Sequence, residues 1–108
     1  MVKYEVSETS PGSVVARLEG DLVLGDAGEV RACLNPLAES FSDLTVDLGG
    51  LHRIDSTGIG VLVMARSIAD ANGHRMRAIN VVGAVREVLL LVKLLTVFGG
   101  DAGPSAAV

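Results

Sequence analysis

Tryptophan is absent from this chain and aromatic residues are scarce, with one tyrosine and two phenylalanines. A core built without large rings has to be aliphatic, and 49% of the residues are hydrophobic. There is one cysteine, Cys33. It excludes an internal disulfide and any cysteine-based metal spacing, and it fits a reduced compartment. Inside an apparent helix it reads as a small buried hydrophobe. Basic residues number nine against thirteen acidic ones, for a formal net charge of −4. They are scattered, so the electrostatic footprint of a nucleic-acid binder is missing. Long apolar runs are missing too. Val88–Val92 falls far short of the roughly 20 residues that cross a bilayer. Met1–Val6 lacks the apolar centre of a signal peptide. At 108 residues, the expectation is one small soluble domain in the cytoplasm.

The order of elements follows from periodicity and from turn chemistry. Tyr4–Val6 and Val14–Leu18 read as strands, joined as a hairpin through the turn-rich stretch Ser7–Ser13. A helix is expected from about Gly25 to Ala38, with Val30, Leu34 and Leu37 on one face and Pro36 as an awkward interruption. Leu44–Leu48 reads as a strand, followed by a loop at Gly49–Arg53. A second helix is expected from Gly58 to about Ala71, stopped by Asn72 and Gly73. Arg75–Val82 reads as a strand broken by Gly83, Ala84–Lys93 as a helix, and Thr96–Phe98 as a last short strand. The residues after 98 form a small, flexible tail. The order β-β-α-β-α-β-α-(β) implies an α/β domain with a small mixed sheet and helices packed on it. The domain spans residues 1–98 and the tail 99–108.

Residues 54–60, Ile-Asp-Ser-Thr-Gly-Ile-Gly, carry the chemistry. They deliver a serine to the start of a helix, where backbone N–H groups lack partners and the dipole favours negative charge. Ser56 could be a cap, a nucleophile, a ligand for a bound phosphate or a phosphorylation target. A nucleophile elbow needs Gly-x-Ser-x-Gly, which is absent, and the only histidines, His52 and His74, read as surface loop residues. A phosphate loop needs a lysine and a glycine spacing that Asp55–Gly60 lacks. Asp55 or Ser56 is suited to cap the helix, and Gly58 and Gly60 to allow close packing. Asp21, in the turn after the second strand, reads as a solvated carboxylate. No acid–base pair or metal cluster points to an enzyme, a metal or a cofactor.

The stretch Ile54-Asp-Ser-Thr-Gly-Ile-Gly-Val-Leu62 resembles the signature of the bacterial anti-sigma factor antagonists, the STAS domains, whose element reads Asp-Ser-Ser/Thr-Gly-Leu/Ile-Gly. Leu18-Glu-Gly-Asp-Leu22, Val46-Asp-Leu48, Asn72-Gly73 and Ala84–Leu89 extend the resemblance over nearly the whole chain. Val23 stands where the family usually has an acidic residue, and Leu91-Val-Lys-Leu94 stands where it has a Ser-Gly-Leu turn.

The resemblance implies a partner switch controlled at Ser56. The kinase would be an anti-sigma factor with a histidine-kinase-like ATPase fold, and a metal-dependent serine phosphatase would reset the switch. The unphosphorylated form would bind the anti-sigma factor and release a sigma factor. Asp21, Asp55, Ser56, Thr57, Gly58 and Ile59 would face the partner. The alternative is a STAS scaffold subunit of a larger assembly, in lipid transport or stress signalling, without phosphorylation control.

Overall fold

A computed structural model describes residues 1–91. Its elements are β1 (Val2–Ser10), β2 (Ser13–Leu22), α1 (Ala27–Ser40), β3 (Asp43–Ile54), α2 (Ser56–Ala71), β4 (Arg75–Ile79) and α3 (Gly83–Leu91). The four strands form one sheet in the order β1-β2-β3-β4. The first pair is antiparallel and the other two are parallel. This is the mixed sheet that the order of elements predicts. The expected strand at 96–98, the tail at 99–108 and the end of the last helix at 92–93 lie outside the described residues.

Alternation sets the core. Along β2, Val14, Ala16, Leu18 and Leu22 are buried, as are Leu44, Val46 and Leu48 on β3. Successive side chains in a strand point to opposite faces, so these residues share one face. The helices cover it with Ala27, Val30, Leu34 and Ala38 from α1 and Val61, Leu62, Ala65 and Ala69 from α2. Leu37 is only half-buried, and Cys33 packs partly buried against this core, where burial pushes its thiol pKa up.

Several boundaries differ from expectation, each for a local reason. The hairpin turn is only Pro11-Gly12, because the flanking polar residues continue the two strands. Gly12 provides the positive φ, +83°, that the tight connection needs. The α1 helix begins at Ala27 and runs through Pro36 to Ser40. β4 stops at Ile79 because Asn80 turns into the left-handed region, φ 55°, where its side chain donates to Asp47 Oδ1 at 3.2 Å. His74 is half-buried rather than a free loop residue, with its Nδ1 3.0 Å from the Ala38 carbonyl at the end of α1. His52 is exposed but lies on β3.

The largest difference concerns Gly49–Arg53, which is strand and not loop. Opposite β2, Arg17 faces Asp47, Glu19 faces Gly50 and Asp21 faces Arg53. β3 thus gains one residue on its neighbour at each of two irregularities, which are β-bulges. Gly50 lies where a Cβ would come within 2.9 Å of the Leu18 carbonyl oxygen. Gly49 donates its N–H to Asp47 Oδ1 at 2.9 Å. The inward-facing residues continue past these bulges as Leu51 and Ile54, both buried. A bulged strand bends and twists more, and this one ends at Ile54, opposite Leu22 at the end of β2.

Candidate functional site

Asp55 is the N-cap of α2 and Ser56 is the first helical residue. The helix therefore starts two residues before the expected Gly58, and the choice between Asp55 and Ser56 as cap falls on Asp55. Its Oδ1 accepts from the Gly58 N–H at 3.0 Å, and its Oδ2 accepts from the Leu24 N–H at 3.0 Å. Its own N–H donates to the Leu22 carbonyl at 3.3 Å. One residue thus holds the first turn of α2 and the segment that leaves β2. These N–H donors, that of Gly58 first, pull the Asp55 carboxyl below its ordinary pKa, against a smaller opposing push from burial.

Gly58 explains why the two segments come so close. A Cβ there would collide with the Leu22 carbonyl oxygen and lie 2.8 Å from Leu22 Cγ and 2.9 Å from Ile54 Cγ1. Gly60 is different: nothing lies within 4 Å of a Cβ placed on it. The expectation of close packing holds at the first glycine and fails at the second.

Asp21 is not a free turn carboxylate. It lies on β2 opposite Arg53, whose Nη2 donates to its Oδ2 at 3.1 Å. This hydrogen bond is the main reason its pKa falls, and the same pair raises that of Arg53. Sequence reasoning missed Arg53 and Leu24 because both enter the site through long-range pairing. The bulged register of β3, which puts Arg53 beside Asp21, leaves no local signal.

Ser56 is exposed, and among the described residues its hydroxyl makes no hydrogen bond. Thr57 and Ile59 are half-buried, and Ile59 packs against the core. Asp21, Asp55, Ser56 and Leu24 thus gather where β2 ends and α2 begins. Leu24 is 74% exposed, an unusual position for a leucine held by its backbone. No group of three or more His, Cys, Asp or Glu among the described residues is placed to hold a metal ion. None of the described helices is long and apolar enough to cross a membrane.

A family model described as "Mlab, STAS domain" matches residues 6–98. The chain belongs to the STAS-domain family. Its fold recurs in solved structures of STAS relatives at low sequence identity. An anti-sigma factor antagonist from Mycobacterium paratuberculosis aligns with a TM-score of 0.77 at 19% identity, over 95% of this chain and 87% of that one. The Bacillus cell fate determinant SpoIIAA in its phosphorylated form gives a TM-score of 0.72 at 20% identity, over 94% and 92%. A sulfate transporter family protein from Wolinella succinogenes gives 0.72 at 16% identity, over 86% and 76%. No curated protein matches the chain. This STAS domain therefore shares its fold with proteins of more than one described role.

Proposed function

We propose that this STAS domain is a non-enzymatic anti-sigma factor antagonist of the cytoplasm, switched by phosphorylation at Ser56. One observation carries the reading: the cap of α2 is Asp55, so the exposed Ser56 hydroxyl is free to react without loss of the cap. The anti-sigma factor would be a serine kinase with a histidine-kinase-like ATPase fold. The Ser56 oxygen attacks the γ-phosphorus of ATP, the bond to the β-phosphate oxygen breaks, ADP leaves, and the hydroxyl proton passes to a kinase base. A metal-dependent phosphatase reverses the change by hydrolysis. Two solved relatives described as an anti-sigma factor antagonist and as a phosphorylated cell fate determinant support the reading.

The added group carries about −1.5 to −2 charges at pH 7. At a helix N-terminus that charge is tolerated by the fold. Beside Asp55 it makes the docking surface formed by Asp21, Asp55, Ser56, Thr57 and Ile59 strongly acidic, and that weakens a partner which buries it; Gly58, expected to face the partner, is instead buried against Leu22 and Ile54. The test is titration of the wild type, Ser56→Asp and Ser56→Ala against the anti-sigma factor by calorimetry, with mass measurement after kinase and ATP. Ser56→Asp should bind far more weakly and Ser56→Ala should bind but take no phosphate. Modification on Thr57 alone, or normal binding by Ser56→Asp, defeats the proposal.

The second reading is a scaffold subunit without phosphorylation control. The matching family description, which names Mlab, and the transporter relative favour it. It predicts no phosphate on Ser56 and a stable place in a larger complex.

A further inference from the structure

β1 is an edge strand of nine residues, and among the described residues nothing pairs with its outer side. Such an edge is a template for another strand. Two of its side chains add an apolar element. Tyr4 lies beside Leu18 and Val6 beside Ala16, both fully buried, so the two residues share the helix-covered face. Yet Tyr4 is 49% and Val6 43% exposed, whereas Val2, at the start of the same face of β1, is buried. The opposite face of β1 carries Lys3 and Glu5, both exposed.

We infer that this edge pairs with the same edge of a second copy, antiparallel and centred on Tyr4. Outward-directed backbone groups recur at every second residue, so paired residues must share parity. Parity leaves a handful of registers, and the side chains choose among them. Centring on Lys3 places lysine against lysine, and centring on Glu5 places glutamate against glutamate. Centring on Val6 places Tyr4 against Glu8. Centring on Tyr4 places Lys3 opposite Glu5 of the second copy, and symmetry repeats the pair. It also places Tyr4 against Tyr4 and Val2 against Val6. Opposite charges and apolar pairs both stabilise directly facing positions. The interface is isologous, so it closes at two copies. The two four-stranded sheets become one continuous sheet. A single strand pair buries less than the roughly 1,200–2,000 Å² of a standard stable interface, so the dimer is weak and concentration-dependent. The inference does not depend on the role of Ser56.

The test is sedimentation equilibrium of the full chain over a concentration series, with circular dichroism confirming that each variant is folded. The wild type should show a reversible monomer–dimer equilibrium. Lys3→Glu and Glu5→Lys should each raise the dimer dissociation constant about tenfold, which is about 1.4 kcal/mol. The double variant, Lys3→Glu with Glu5→Lys, should return it to the wild-type value. In a Cys33→Ala background, Tyr4→Cys should give a disulfide-linked dimer under mild oxidation, since facing positions satisfy the Cα separation a disulfide needs. Val6→Cys should not. A chain that stays monomeric up to its solubility limit overturns the inference. So does a dimer indifferent to the charge reversals, or one that cross-links through Val6→Cys as readily as through Tyr4→Cys.

Discussion

The two ends of α2 are built on different principles. The C-terminal end is closed by its own backbone. His74 N–H reaches the Ala69 carbonyl at 2.8 Å and Gly73 N–H reaches that of Asp70 at 3.1 Å, a Schellman closure with Gly73 at φ +69°. The N-terminal end is closed by a side chain, Asp55, that also binds Leu24, distant in sequence, and by a glycine pressed on the Leu22 carbonyl. The first arrangement needs only local sequence. The second ties the helix to β2, so a change at residues 55–58 is felt at residues 22–24. Chemistry at the N-terminal end has a structural route to β2, while the C-terminal end meets α1 through the His74 ring.

The sharpest way to break this contrast is a methyl group. Gly58→Ala forces a Cβ into the Leu22 carbonyl and should cost about 2–3 kcal/mol, read from urea unfolding. Gly60→Ala, two residues on and open, should instead gain about 0.5–1 kcal/mol, because alanine is the better helix former. Equal losses at both positions would mean that the N-terminal turn is not pressed on β2.

The next effect is on Asp55. Replacing it by alanine removes the cap and frees Leu24, and should lower Tm by roughly 4–8 °C. Asp55→Asn should fall between, since an amide has one acceptor oxygen for the two N–H groups the carboxylate serves. The folded carboxyl has a lowered pKa, so the unfolded chain binds more protons on acidification. The Asp55 contribution is therefore complete above the ordinary carboxylate pKa of about 3.9 and is lost as pH falls through the folded value. Asp21, lowered by Arg53, adds a loss of the same sign. Melting curves from pH 7 down to about pH 2 should show a shallower acid loss in Asp55→Asn than in the wild type.

At the C-terminal end, Gly73→Ala has open space but the wrong backbone region, and should cost about 1 kcal/mol. Its effect should add to that of Asp55→Ala, because the two ends share no partner. The smallest effect is expected for Ser56→Ala. With capping assigned to Asp55, the stability change should stay within about 0.5 kcal/mol by denaturant titration. A loss near that of Asp55→Ala would return the cap to Ser56.

Local features of the site were legible in the sequence. The serine at a helix start, the Asn72-Gly73 stop and the alternation of β2 depend on neighbours only a few positions away. The mixed sheet with its antiparallel first pair and parallel later strands followed from the alternation of elements. What stayed hidden was set by register. A glycine pair such as Gly49-Gly50 reads as a turn, but here it marks close approach of β3 to β2. The inward residues Leu48, Leu51 and Ile54 follow a step of three, which breaks the two-residue alternation of a strand and fits a helix face instead. For the same reason no local pattern announces that Arg53 meets Asp21, or that the Leu24 N–H meets Asp55.

The Leu24 amide has a use of its own. Its side chain stands in solvent, yet its hydrogen is held by the same carboxylate that caps the start of α2. An exposed amide normally exchanges with deuterium freely, whereas this one is slowed only while Asp55 is charged and in place. Its signal in a proton–nitrogen spectrum of the isotope-enriched protein is therefore a natural gauge on the site: acid, a lost cap or a competing anion beside Asp55 should each speed its exchange, with no reporter group attached.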